Sequence, residues 1–330
     1  MSSALILLAL TVLLALAFDF INGFHDSANA IATVVSTKVM KPRTAVLYGG
    51  ALNFAGAMMG TQVAATIGKG LVNADTINIH TVLCSVIAAI VWNLITWYKG
   101  LPTSSSHALI GSLLGATFIS AGWNNIVFSA VEKKVLIPMI VSPMLGISIG
   151  FALMLALTWG FYRMRLQRIN SVFGKLQIIS AGFMAFNHGQ NDAQKSMGII
   201  ALALVLTYHP DHFSVPVWVM VSCAIAMGLG TMLGGWRIIH TMGSKMIKLQ
   251  PINGFAAETT ASMIIAGASH FGIPVSTTHV ISTAIMGVGA TKRLSAVRWG
   301  IVGNIVWAWL LTIPLTFLLA AAFMALAKAF

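Results

Sequence analysis

The feature that most limits the fold of this chain is the recurrence of apolar runs long enough to cross a lipid bilayer. A helix needs about 20 apolar residues to span the hydrocarbon core, and such runs cover residues 3–21, 44–66, 80–98, 101–121, 135–160, 214–236, 252–271, 273–291 and 299–325. The runs are continuous, whereas a membrane β-barrel would show alternating segments of about 10 residues. With 58% hydrophobic and only 8% charged residues, the chain is predicted to be an all-α polytopic membrane protein in contact with lipid.

The basic residues predict an orientation in the membrane. The formal net charge is +12, and alternating crossings assign most of the Lys and Arg residues to one side. An excess of these residues in short cytoplasmic loops is typical of membrane proteins, so the charge does not indicate a nucleic-acid partner. The assignment predicts about ten crossings, with the N-terminus outside.

Two pairs of short motifs recur in the same order along the chain. "NGFHDSANA" (22–30) aligns with "HGQNDAQKS" (188–196), and "LPTSSSHALIG" (101–111) aligns with "IPVSTTHVIST" (273–283). Five crossings per half is an odd number, so the halves enter the membrane from opposite faces, as in many secondary transporters. We therefore predict two inverted-topology five-helix repeats, residues 1–160 and 176–330, joined by a basic cytoplasmic linker at 161–175.

Some of these segments do not suit a single straight helix. Residues 176–207 would form a helix of about 48 Å, against a hydrocarbon core of about 30 Å. Gly23 and Gly189 precede the polar clusters and tolerate a break in the helix, while Pro102 and Pro274 open Ser/Thr-rich turns. These features predict broken or re-entrant helices whose irregular backbone lines a cavity.

The Ser/Thr-rich turns are candidates for binding an oxyanion. Hydroxyl groups and the free N–H groups at a helix start both donate hydrogen bonds to such an anion. Hydroxyls in membrane helices also link neighbouring helices, but their recurrence at matched positions favours a binding role. The predicted substrate-binding hydroxyls are Ser104, Ser105, Ser106, Ser276, Thr277 and Thr278.

The charged and amide residues of the first motif pair predict an ion site. Asp26 and Asp192 are intramembrane carboxylates, which are unfavourable in lipid unless they are paired, protonated or ion-bound. Lys195 aligns with Asn29 and lies one helical turn after Asp192, so an Asp192–Lys195 ion pair is one reading. The sharper hypothesis is that the Lys195 ammonium occupies the place of a coupling cation in the other half, and that it also balances an anionic substrate.

Other polar residues extend this prediction. Lys195 and Asn29 are assigned to substrate binding, and the residues assigned to ion or proton coupling are Asn22, Asp26, Asn191, Asp192 and Glu258. For Glu258 a proton path, a cation site and a structural hydrogen bond all remain open. His107 and His279 are expected to orient their turns, and the histidine spacing predicts no metal site. No cofactor is expected.

The four motifs resemble those of the inorganic phosphate transporter (Pit) family, in particular its bacterial low-affinity branch. The resemblance extends over nearly the whole chain and implies a phosphate symporter with inverted repeats and a central site. Asp26, Asn29, Asp192 and the two Ser/Thr turns match the family's substrate and coupling-ion motifs. Sodium-coupled members typically have Asn where this chain has Lys195, so the departure favours proton coupling.

The predicted function is therefore proton-coupled import of inorganic phosphate, alone or as a metal–phosphate complex, by alternating access across the bacterial plasma (inner) membrane. The alternatives are a sodium-coupled phosphate symporter and a permease for sulfate or another oxyanion. A channel is a further alternative. An intramembrane hydrolase is disfavoured because catalysis does not require the same motif twice in opposite orientations, so the chain is not expected to be an enzyme. A homodimer is a candidate assembly.

Overall fold

The computed structural model describes residues 3–209 and 212–329. It is 84% helical, and the described residues contain no β-strand beyond one isolated bridge between Val72 and Ile126. The helices are α1 (Ser3–His25), α2 (Ser27–Ser36), α3 (Pro42–Ala57), α4 (Gln62–Lys69), α5 (Ile79–Lys99), α6 (Ser105–Ala121), α7 (Phe128–Val131), α8 (Ile137–Phe161), α9 (Leu166–Tyr208), α10 (Val217–Leu233), α11 (Trp236–His240), α12 (Pro251–His270), α13 (Thr277–Ala290) and α14 (Trp299–Ala329). Single π-helical segments follow α7 and α11, at Glu132–Leu136 and Thr241–Lys245.

The chain is an integral membrane protein with several apolar helices. In the described residues, five helical segments are long and apolar enough to cross a membrane, and a sixth arises if α10 and the bent helix after it form one span. The helices α6 and α13 have 17 and 14 residues, so at about 1.5 Å per residue both are shorter than the hydrocarbon core. The ten crossings and the inverted topology stay predictions.

Each half of the chain contains one helical hairpin with a Ser/Thr-rich turn. In each hairpin a longer helix, α5 or α12, is joined by a turn to a shorter one, α6 or α13, and the two helices pack together. The hairpin turns contain the two Ser/Thr motifs, and they lie against each other, with the rings of His107 and His279 separated by 4.9 Å between centroids. Pro102 and Pro274 lie in these non-helical turns, as predicted.

The halves are interlocked through their helix packing. The hairpin helix α6 packs on α14, a helix of the second half, and α13 packs on α8; likewise α1 packs on α10, and α3 on α9. Backbones approach closely at these crossings, where a Cβ added to Gly115 would meet the carbonyl of Phe317 and one added to Gly287 would meet that of Ile147. Small residues allow membrane helices to pack in this way.

The predicted break at Gly189 is wrong. The helix α9 runs without interruption for 43 residues, from Leu166 to Tyr208, which is about 65 Å, so it extends beyond the hydrocarbon core and includes part of the predicted linker. Gly189 serves close packing instead, because a Cβ there would overlap the carbonyl of Asn53 on α3. In the first half the helix does break, but at Asp26 between α1 and α2 rather than at Gly23.

This packing role of Gly189 gives a stability prediction. We expect Gly189→Ala to destabilise the protein by about 1–3 kcal/mol, because overpacking moves two backbones apart. Gly303→Ala on α14 is the matched control, since nothing lies within 4 Å of its added Cβ. It should leave the stability unchanged or slightly raised through the better helix propensity of Ala. Thermal unfolding in detergent, followed by tryptophan fluorescence, measures both; an unfolding midpoint for Gly189→Ala at or above wild type would contradict the packing role.

Candidate functional site

The candidate site lies where the first motif pair meets the two hairpin turns. Asp26 occupies the break between α1 and α2, and Asp192 and Lys195 lie on α9. All three are almost completely buried, with at most 3% exposure. The folded chain therefore brings together residues more than 160 positions apart in the sequence, one set from each motif.

Lys195 is surrounded by oxygen atoms. Its Nζ donates to the Asp192 carboxylate and to the hydroxyl of Ser106, and it donates to the carbonyl of Val275 at 3.0 Å. The ion pair with Asp192 that the spacing allowed is thus present. A charge-assisted hydrogen bond is stronger than a neutral one, so these contacts fix the ammonium between both hairpin turns.

Asn29 makes the corresponding contacts in the first half. Its Nδ2 donates to Thr278 Oγ1 at 2.9 Å and approaches Thr277 Oγ1 at 3.2 Å. The two hydroxyls in turn donate to the carboxylates, Thr277 to Asp192 Oδ2 at 3.0 Å and Thr278 to Asp26 Oδ2 at 3.4 Å. The Asn29–Thr278 contact aligns with the Lys195–Ser106 contact under the repeat, and together they connect the two carboxylates through one buried network.

A histidine lies beside each carboxylate. His25 Nδ1 donates to Asp26 Oδ1 at 2.5 Å, and His188 Nε2 lies 3.3 Å from Asp192 Oδ2. The other nitrogen of His188 is 2.9 Å from Asn53 Oδ1. One ligand atom each from Asp26, His188 and Asp192 lie within 4.8 Å of one another, close enough for a cation to contact all three. Sequence spacing could not predict this group because its members come from both halves.

The hydroxyls of the two turns divide into different roles. Ser104 and Ser276 are N-caps, since their Oγ atoms accept from the backbone N–H of His107 at 3.1 Å and of His279 at 3.2 Å. A capping hydroxyl stabilises a helix start, so these two have a structural role in this conformation. The hydroxyls of Ser106, Thr277 and Thr278 belong to the charged network, while Ser105 Oγ is buried without a partner.

The remaining coupling candidates lie outside this network. Glu258 of α12 is fully buried and accepts from Thr33, Ser180 and Gln177, so it forms a second polar cluster between α2, α9 and α12. Asn191 donates to Ser269 Oγ at 2.8 Å. Asn22 is buried, and its Oδ1 has no partner.

The structure also reveals a residue of α9 that positions the N-terminus of α4. Gln194 Oε1 accepts from the backbone N–H groups of Val63 at 2.8 Å and Ala64 at 3.4 Å. Those N–H groups belong to the first turn of α4. The N–H groups of a first turn have no hydrogen-bond partner within their own helix. The amide beside Lys195 therefore holds α4 against α9, and only the tertiary structure identifies this role.

The chemistry of the network suits an anion that keeps a proton. An ammonium, an amide and three hydroxyls supply donors to an oxyanion, while Asp26 and Asp192 supply acceptors for an O–H on that anion. In the present conformation these groups satisfy one another, so an entering anion replaces the internal hydrogen bonds rather than burying new unpaired groups.

Comparisons with known proteins agree on one family. The sequence profile described as "Phosphate transporter family" matches residues 22–169 and 162–320. A relative from Bacillus subtilis, named "Probable low-affinity inorganic phosphate transporter", is 46% identical over 324 residues, which is 97% of each chain. A relative from Rhizobium meliloti with the same name is 46% identical over 94% of this chain and 93% of its own.

A solved structure gives the same result for the fold. The protein titled "The sodium-dependent phosphate transporter" superposes with a TM-score of 0.86, at 26% identity, over 98% of this chain and 99% of the other. The family consists of transporters and not of enzymes, which confirms the prediction against a hydrolase. The resemblance seen in the four motifs is confirmed as well, and the chain belongs to the phosphate transporter family.

Proposed function

We propose that this protein is a secondary active symporter that imports inorganic phosphate, coupled to protons, by alternating access. The observation on which this rests is the single buried network that joins Asp26 and Asp192, one from each motif, to Lys195, Asn29 and the two hairpin turns. Phosphate is the substrate of the family to which the chain belongs. In this proposal Ser105 contributes to substrate binding, and Asn22, Asn191 and Glu258, which lie outside this network, contribute to coupling.

The two carboxylates favour phosphate over sulfate. Near neutral pH phosphate retains at least one proton, so it can donate an O–H to a carboxylate, whereas the sulfate dianion has only acceptors. Sulfate oxygens facing Asp26 or Asp192 would meet another negative charge in a buried site, which is strongly unfavourable.

Lys195 favours protons over sodium as the coupling ion. Its ammonium contacts a carboxylate, a hydroxyl and a backbone carbonyl, and these are the oxygen ligands that a hard cation prefers. In this proposal the ammonium of Lys195 thus takes the place of a bound cation at that position. Sodium coupling remains the second candidate, because the related solved structure is titled as a sodium-dependent transporter and Asp26, His188 and Asp192 leave a spacing that suits a cation.

The matched contacts of the two halves support alternating access. Asn29 with Thr278 and Lys195 with Ser106 are equivalent pairs under the repeat, so exchanging the conformations of the halves would open the site to the opposite side. In this proposal the chain lies in the bacterial plasma membrane with its N-terminus outside and residues 161–175 in the cytoplasm. The repeats are residues 1–160 and 176–330, and a homodimer is the candidate assembly.

Uptake by purified protein in proteoliposomes tests the proposal. Labelled phosphate is supplied with an inward proton gradient, an inward sodium gradient at equal pH, or neither, and unlabelled sulfate is added as competitor. We expect the proton gradient alone to drive accumulation, and we expect excess sulfate to leave it unchanged. Valinomycin and potassium clamp the membrane potential, so that a response to pH is separated from a response to voltage.

The outcomes separate the candidate functions. Accumulation that requires sodium would assign the coupling ion to the second candidate. Inhibition by sulfate together with uptake of labelled sulfate would change the substrate. Flux that dissipates a phosphate gradient and ignores both ion gradients would indicate a channel.

A further inference from the structure

Asp19 is a fully buried carboxylate outside the network described above. It lies on α1 and is 0% exposed. Ser196 of α9 donates its hydroxyl to Oδ1 at 2.9 Å, and the thiol of Cys223 faces it from α10. Its second oxygen, Oδ2, has no hydrogen-bond partner.

The next question is which charged groups lie near this carboxylate. Among the described residues, no Lys, Arg or His lies within ion-pair distance of Asp19. The charges of Asp192 and Lys195 on α9 interact electrostatically with Asp19 from a longer distance. These two residues already form an ion pair with each other. The helix α5, which also packs on α1, brings no charged group to it. An ionised carboxylate without a partner is strongly disfavoured in such surroundings, so the neutral, protonated form suits this position.

The surroundings of Asp19 suit a proton and not a metal ion. Hard cations such as Ca²⁺ and Mg²⁺ take six or more oxygen ligands, whereas Asp19 has a single hydroxyl beside it. Asp19 is also absent from the group of residues whose spacing suits a cation, which is Asp26, His188 and Asp192. A proton needs only the open Oδ2.

Asp19 is linked to the candidate site through two helices, α9 and α1. Ser196 follows Lys195 directly on α9. On α1, Asp19 precedes Asp26 by two helical turns and lies on the same side, with His25 occupied by its contact to Asp26. A shift of α9 against α1 that opens the phosphate site would therefore also separate Ser196 from Asp19 and admit water to the carboxylate.

We propose that Asp19 binds the coupling proton. In the outward-facing state the carboxylate takes a proton from water and becomes a carboxylic acid, and phosphate binds at the network around Lys195. In the inward-facing state the O–H bond breaks, the proton passes to cytoplasmic water, and the phosphate leaves. This inference rests on the proposed function, since it assigns the proton of that symport to one residue.

The variant Asp19→Asn, which stays neutral at every pH, tests this assignment. Two activities are measured in proteoliposomes: exchange of labelled for unlabelled phosphate at equal pH, and net uptake driven by an inward proton gradient, with an internal pH dye recording proton entry. We expect Asp19→Asn to retain exchange and to lose both gradient-driven uptake and proton entry. Asp19→Glu, which restores a carboxylate, should recover part of the gradient-driven uptake, and Asp75→Asn, an exposed control, should match wild type in both assays.

Each result bears on the assignment. Proton-driven uptake and proton entry by Asp19→Asn at wild-type rates would overturn it, and so would equal loss of exchange and net uptake in a correctly inserted variant. If Asp19→Asn does not insert, Ser196→Ala decides: an altered pH dependence of net uptake with unchanged exchange supports the assignment, and an unaltered one overturns it. Failure of the proposed function is distinguishable, because it appears in the wild-type protein as absence of a response to the proton gradient.

Discussion

Asp192→Asn is expected to reduce phosphate uptake about 100-fold or more while leaving the protein inserted in the membrane. The carboxylate contacts Lys195 and accepts from Thr277. Removing one partner of a buried ion pair leaves the other charge uncompensated, at a cost of about 3–5 kcal/mol, and each 1.4 kcal/mol is a factor of about ten. The amide also adds a donor where an acceptor for a phosphate O–H is needed. Initial uptake rates, normalised to the amount of reconstituted protein, measure the loss.

The matched control for this substitution is Asp75→Asn, because Asp75 is exposed in the connection between α4 and α5 and is not part of the network. Its uptake should equal that of wild type. Asp26→Asn should resemble Asp192→Asn, since Thr278 donates to Asp26 as Thr277 does to Asp192. Wild-type uptake by both Asp26→Asn and Asp192→Asn would remove these carboxylates from the site.

Lys195→Met should cause a loss of similar size, through a different mechanism. Methionine keeps the approximate length of the side chain and removes its charge, so Asp192, Ser106 and Val275 lose their shared donor. The substrate anion also loses the only cationic side chain in the network described above. We expect both phosphate uptake and phosphate exchange to fall by about 100-fold, on the same scale as the loss of one partner from a buried ion pair.

A second substitution at this position separates the two roles of the lysine. Lys195→Asn gives the second motif the residue that the first motif has at Asn29 and opens space for a cation beside Asp192. If the ammonium replaces a bound cation, sodium should restore measurable uptake to Lys195→Asn and not to Lys195→Met. Lys175→Met is the control, because Lys175 is exposed on the same helix. Absence of any sodium effect would limit Lys195 to substrate binding, and normal uptake by Lys195→Met would exclude both roles.

Much of the site could be predicted from the sequence because charged residues are scarce in this chain. Asp26, Asp192 and Lys195 stand out in apolar segments, and the repeat predicts that residues from distant motifs meet. The local structure of the Pro-Ser/Thr turns could also be predicted, because Pro102 and Pro274 disfavour helical backbone at the residue before them. Those elements depend on local backbone preferences and on the unfavourable burial of charge, and both are visible in one sequence.

The features that the sequence did not predict depend on tertiary contacts. The chain continues as a helix through Gly189, where the glycine allows α3 to approach closely, and no local signal distinguishes that use of glycine from a break. Ser104 and Ser106 belong to the same triplet, yet one caps a helix and the other contacts Lys195. The partners of Glu258 come from two other helices, α2 and α9, so its cluster could not be found by alignment of the halves.

The interlocked packing has a consequence for how the protein is made. The face of α6 that carries Gly115 packs on α14, a helix of the second half, so the first half of the chain cannot reach its final packing before α14 has been synthesised. Until then its small-residue surface stays open to lipid or to a membrane chaperone. Two separately expressed halves should consequently be degraded when made alone and become stable when made together, which makes late synthesis, rather than insertion of the first helices, the step that quality control must monitor.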